Sequence, residues 1–416
     1  MAVLLLSACQ PTAPETPVLL DSAWGTVITV AQAEQADAPA IWPTSAGIVA
    51  AWVDTEANEP PFQALRSLTP DRIGEPVKLP LPVRPSAQQL ITAGGDNLHL
   101  FWLDANVDNE TRLFTALIKP DLSRERESTI LTEQSTRRYA LLPAGDGGVW
   151  AIAAGGLVSE PSLYAHFIDF AGRPRFEDVY EIVYDADWPT GLRANDGSLT
   201  LFWLRKTDGQ VMRSAFANGQ LLDPHPINFG VLLNPGDRLE SFCAAQDNTR
   251  QYLFWNITRM NGSRETWMAS GGSKEIFWAD ARPLGISVDP TDIDLATPQA
   301  STFKPGFNAG VSLPAAAGHF ALSWAQPITE QFNTLPVAAL AADSALTIVY
   351  FRGGEIVGVQ PLNINAQLIG IPKLQVDRDL FLYLAWSQPT VEGYANLQLV
   401  TLKYRDWESV KTLRQH

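Results

Sequence analysis

Residues 97–105 read NLHLFWLDA, an apolar run with two aromatic residues that stops at an aspartate. Near-copies recur as GIVAAWVDT from Gly47, SLTLFWLRK from Ser198, RQYLFWNIT from Arg250, HFALSWAQP from His319 and LFLYLAWSQ from Leu380. Aligned on the aromatic position, they fall at Trp52, Trp102, Ile152, Trp203, Trp255, Trp324 and Trp386; at Ile152 the tryptophan, Trp150, has moved two places along the same face. The steps are 50, 50, 51, 52, 69 and 62 residues. A fixed period of this length marks a repeat architecture.

Each period carries the same parts. A first strand such as QQLITAGG (88–95) leads through a tight Asp-Gly or Asp-Asn turn into the Trp strand, and two further strands follow, as in RLFTALIK and ESTILTEQ. Such turns supply the positive φ that a short hairpin loop needs. Four antiparallel strands repeated about every 50 residues describe a β-propeller blade. The predicted fold is therefore all-β, a β-propeller of seven four-stranded blades, with six or eight as the alternatives. Leu100, Phe101, Trp102 and Leu103 alternate between two faces and all are apolar, as expected of an inner strand packed between two neighbouring blades. For ring closure, GTVITVAQ from Gly25 and ESVKTLRQ from Glu408 compete as the outer strand of the last blade. Two periods are long, and the extra residues are placed at about 281–306 and in the hairpin LTIVYFRGGEIVGVQPL from Leu346.

Composition agrees with this class. The 416 residues are 46% hydrophobic, with thirteen Trp and nine Tyr but four Met, which favours a turn-rich β protein. A net charge of −15, scattered along the chain, repels phosphate backbones and argues against nucleic acid as a partner. No stretch of 18 apolar residues occurs.

The N-terminus, MAVLLLSACQ followed by PTAPETP, is a short apolar run, a cysteine and a Pro/Thr-rich spacer. Leu6-Ser7-Ala8-Cys9 resembles the lipobox of bacterial lipoproteins. That resemblance implies cleavage before Cys9, lipidation of Cys9, and a lipid-anchored, extracytoplasmic place in the bacterial cell envelope, either periplasmic or at the cell surface. It divides the chain into a signal segment (1–9), a linker (10–24) and a propeller domain (25–416). The strand-turn texture DGSLTLFWLRKTDGQVMRSAF is similar to the repeats of sialidase-like and related secreted propellers. The Asp-box Ser-x-Asp-x-Gly-x-x-Trp of that family is absent from the sequence. Its arginine triad, Tyr/Glu pair and acid/base Asp match no residue, so no catalytic residue is assigned.

Other chemistry finds no motif. The five histidines are far apart, and His99 and His166 are expected to be structural. Cys243 reads as a small apolar strand residue. Asp104, Asn106, Asp108 and Glu110 alternate as a calcium loop begins, but lack its glycine and terminal glutamate. Asp289, Asp292 and Asp294 invite the same comparison. No metal and no cofactor are expected.

Position gives the remaining candidates. Two residues beyond the anchors lie Asp54, Asp104, Arg205, Ile257, Gln326 and Gln388. The polar ones, Asp54, Asp104, Arg205, Gln326 and Gln388, are candidate binding-face residues beside the central channel. The functional expectation is a monomeric, non-catalytic binding or scaffolding module for a protein or glycan, anchored to a membrane through its lipid. The alternative is a glycan-active hydrolase of sialidase-like propeller type. An enzyme should show perturbed acids at the channel mouth, and a binder should not.

Overall fold

The computed structural model describes most of residues 25–283 and 337–414, together with Val18–Leu19 and Ala321–Ala325; 1–17, 284–320, 326–336 and short stretches such as 55–60, 80–84, 106–109, 364–368 and 404–406 lie outside the description. Cys9, Gln326 and the aspartates 289, 292 and 294 therefore fall outside the described residues.

The architecture is an all-β propeller. Among the described residues, backbone hydrogen bonds join the strands into seven sheets of four or five strands. In chain order they run from Ala40 to Leu79, Pro85 to Ile130, Thr136 to Tyr184, Ala186 to Pro226, Arg238 to Pro283, Ala321 to Asn363, and Ile369 to Lys403. Six of them have side chains described on their innermost strand, and the Ala321 sheet is described there through its backbone alone. The first strands of successive sheets pack against one another around the ring, and the Ile369 strand meets the Ala40 strand to close it.

The hydrophobic core is divided among the seams between blades. Trp102 is packed between the first and second sheets with Leu65, Leu90 and Leu100. Phe101 and Leu103, on the opposite face of the same strand, meet Val149 and Ala151 of the third sheet. Trp203 shares the next seam with Trp150 and Phe216, and Trp255 the one after with Phe202 and Phe242. Trp102, Trp203, Trp255 and Trp386 are at most 2% exposed, which is why the Trp strands tolerate no polar face. Close approach between blades also fixes backbone: Gly147 has φ +82° and a Cβ there would lie 2.7 Å from the Ala93 carbonyl of the preceding blade.

Closure differs in part from expectation. Ile28–Ala33 is the outer strand of the last sheet, antiparallel to Ala395–Lys403. Its rival is not a strand: Trp407–Arg414 forms an α-helix, with Glu408 in its first turn and Val410 buried. An acidic first turn complements the helix dipole, and burial of one apolar side chain docks it. Val18–Leu19, inside the stretch read as linker, adds a parallel edge strand to Gly358–Val359. The Leu346 hairpin is no insertion, for Ala345–Arg352 and Glu355–Asn363 are the third and fourth strands of the Ala321 sheet. Trp324, expected in a second strand, lies in Ala321–Ala325, the innermost described strand of that sheet.

Candidate functional site

At two anchors the residue two places beyond has a structural reason to be polar. Positions i and i+2 of a strand share a face, and a buried indole N–H needs an acceptor. Trp52 Nε1 donates to Asp54 Oδ2 at 3.2 Å, and Trp386 Nε1 to Gln388 Oε1 at 3.3 Å. Arg205 instead forms a fork with Asp208, at 2.6 and 3.0 Å, and reaches Gln210 at 2.6 Å within its hairpin. These side chains sit one per blade.

Asp104 differs from the others. It is 3% exposed, and neither carboxylate oxygen has a partner at hydrogen-bonding geometry. Burial raises its pKa to about 6; the Trp102 indole and the Ala105 amide offset part of that penalty. A carboxyl group whose pKa is raised toward neutral pH can act as an acid.

A convergence that sequence reading missed lies on the same face, where inner strands begin. Five inner strands slip register there: between Ser86 and Gln89, Thr136 and Arg138, Asp187 and Thr190, Leu239 and Ser241, and Ile369 and Lys373. Four of the slips insert one extra residue, as a β-bulge does, and the Ile369 slip inserts two; bulges re-aim side chains at barrel rims and active sites. The second blade's bulge contains Ala87 at φ +52°, and Tyr139 of the next blade donates to the Ala87 carbonyl at 2.5 Å.

The third and fourth blades bring four side chains together at their bulges. Arg138 Nη1 lies 2.7 Å from Asp187 Oδ2, and its guanidinium stacks 3.6 Å from the centre of the Trp188 ring. Arg137 Nε is 4.0 Å from the same carboxylate oxygen. Arg137 Nη1 donates to the Gly156 carbonyl at 3.0 Å, whereas its Nη2 is buried without a partner. Trp188 holds φ at +56°, a strained value for an aromatic residue, and its other side packs on the core between the fourth and fifth blades. Its amide donates to Asp187 Oδ1 at 2.8 Å. Arg138 and Asp187 are separated by 49 residues. Charged residues one repeat apart at the starts of inner strands were the available signal.

The fifth blade shows a contrasting arrangement. Arg259 pairs with Asp237 at 2.5 Å and with Glu265 at 2.6 Å, and Trp267 Nε1 donates to Glu265 at 2.8 Å. With its partners supplied internally, this network reads as structural.

The remaining candidates behave as structural groups. His99 and His166 are buried, and burial lowers both pKa values to about 4, so both are neutral at pH 7. Burial pushes the Cys243 thiol up to about 12, which leaves it protonated and unreactive. Glu110 pairs with Arg112 at 3.3 Å. Among the described residues no three His, Cys, Asp or Glu side chains gather as metal ligands, and no helix is long and apolar enough to cross a membrane.

No protein-family model matches the chain, and no curated protein matches it. The fold is similar to the α-L-arabinanase of Penicillium chrysogenum solved with arabinobiose, at 11% identity over 92% of this chain and 98% of that one, with a TM-score of 0.50. The α-L-arabinofuranosidase of Fusarium graminearum, also with arabinobiose, aligns at 10% identity over 77% and 93%, TM-score 0.49. An ulvan lyase aligns at 10% over 92% and 99%, TM-score 0.47. At such identities the likeness is one of fold.

Proposed function

We propose that this chain is a glycan-active propeller whose site lies at the mouth of the channel, on the face where the inner strands begin. The observation that carries the reading is a perturbed acid, Asp104 with its pKa near 6, on the face that also gathers Arg137, Arg138, Asp187 and Trp188. In this reading Asp104 is the proton donor to a leaving oxygen, and the bulged Arg and Trp residues position the sugar. Similarity of fold to an arabinanase solved with arabinobiose is consistent with it. A buried acid with a raised pKa favours glycan chemistry over the scaffolding role expected from sequence.

A non-catalytic glycan-binding module is the second reading. It is favoured by one observation: Asp187, the carboxylate at the cluster, is held by Arg138 at 2.7 Å. Glycoside hydrolysis ordinarily uses two carboxyl groups, one of them free to act as nucleophile or base.

The test is incubation of the full chain with arabinan and with a uronate-containing polysaccharide, reading new reducing ends, the absorbance of unsaturated sugar, and retention of the chain on each immobilised polysaccharide. Release by the wild type that is lost in Asp104→Asn supports the enzyme. Binding without release supports the module, and neither binding nor release refutes both. We further propose that Cys9 carries a lipid and holds the propeller, as a monomer, at a bacterial envelope membrane.

A further inference from the structure

We propose that Arg137 and Arg138 form an anion subsite, which selects a sugar unit carrying a single carboxylate or sulfate; the inference rests on the glycan reading and narrows its substrate class. Three features of the cluster lead there.

The first is charge. Two guanidinium groups share one carboxylate, Asp187, leaving about one unit of positive charge within this cluster of a protein whose net charge is −15. The second is hydrogen bonding. Arg138 is committed to Asp187 and to the face of Trp188, but Arg137 Nη2 is enclosed without an acceptor. An unsatisfied buried donor on a charged group is costly, and an incoming oxyanion would remove that cost. The third is the aromatic ring. Neutral sugars commonly lay their C–H face on an exposed ring, but Trp188 has Arg138 over its face at 3.6 Å and packs against the core of the fourth and fifth blades. The cluster therefore offers a planar donor fork in place of a stacking platform, a geometry that matches carboxylate and sulfate. The acidic surround sets an upper limit on ligand charge, since the field of the whole molecule repels dense polyanions. One anionic group on an otherwise neutral saccharide fits both constraints.

The test uses the full chain and three probes: a uronic-acid oligosaccharide, a neutral arabinan oligosaccharide of matched length, and sodium sulfate alone. Binding is read by calorimetry at two salt concentrations for wild type, Arg137→Gln and Arg137→Lys. Arg137 is chosen because changing Arg138 would strip Asp187 of its partner. The expected result is preference for the uronic-acid probe, and a loss of roughly tenfold or more in Arg137→Gln, the scale of a charge-assisted hydrogen bond. Arg137→Lys should recover part of that loss, with an unchanged melting curve showing that the fold is intact. Equal binding of acidic and neutral probes, insensitive to Arg137, overturns the subsite and leaves the glycan reading standing. Arg137-dependent binding of sulfate with no binding of either saccharide supports the subsite and overturns the glycan reading. Absence of binding to all three overturns both.

Discussion

Replacing Asp104 by asparagine should make the protein more stable while it impairs the chemistry. The carboxyl group is 3% exposed and its pKa is raised from 3.8 to about 6. A raised carboxyl pKa means that the folded state binds the proton more tightly than the unfolded state. The stabilising share of this group is thus fully present below about pH 4 and is lost as pH rises through about 6. Above that, folding must hold a buried anion. A shift of about two units corresponds to up to about 3 kcal/mol. Asparagine is nearly isosteric and carries no charge, so Asp104→Asn should raise stability by up to that amount at pH 7.5 and by little at pH 4. The assay is urea unfolding of both proteins at the two pH values, followed by tryptophan fluorescence, with the difference between them as the readout. That difference isolates Asp104 from the histidines, whose effect has the opposite sign. If Asp104→Asn is destabilising at pH 7.5, or its effect does not change with pH, the account of a strained, partly protonated acid is wrong.

Three other outcomes are expected. Trp203→Ala should cost roughly 3 to 5 kcal/mol, since the ring fills the seam between the third and fourth blades; an unchanged melting temperature would contradict the packing. His99 and His166 are held neutral with pKa values of about 4 against 6.5 unfolded, so their contribution is intact above about pH 6.5 and lost as pH falls toward 4, by up to about 3 kcal/mol each. A His99→Gln/His166→Gln variant should flatten that acid limb of the urea midpoint, and a wild-type midpoint that does not fall in acid would refute it. Cys9→Ser should move the full-length protein from the membrane to the soluble fraction on cell fractionation, and continued retention would remove the lipid anchor from the proposal.

The architecture was legible because burial on two faces leaves a mark that a single strand displays by itself. Leu100 to Leu103 announce it, and repetition supplies the ring. Trp324 was expected in a second strand because ALSWA carries the same apolar pattern, whereas hydrogen bonding makes Ala321–Ala325 the innermost described strand of its sheet. ESVKTLRQ was misread because eight residues of mixed polarity satisfy strand alternation as readily as one short helix, and docking of Val410 decides between them. The candidate site was the least legible. Polar residues two beyond an anchor are required by the indole N–H of Trp52 and Trp386, whatever the ligand. Arg138 and Asp187, by contrast, meet only because two blades curve side by side and two bulges turn their strands. No local pattern records that.

The order of synthesis runs against the order of closure. Ile28 pairs with Leu399 and Ala33 with Ala395, so this strand leaves the ribosome long before the strand it pairs with. Closing so long a loop adds an entropic cost that grows only slowly with length, but the waiting is a separate hazard, because an unpaired strand edge is a template for other chains. Until Ala395–Lys403 arrives, the early strand needs protection, whether by a chaperone or by transport of the chain unfolded. The Ile369 sheet then latches a strand made long before it, and that pairing closes the ring.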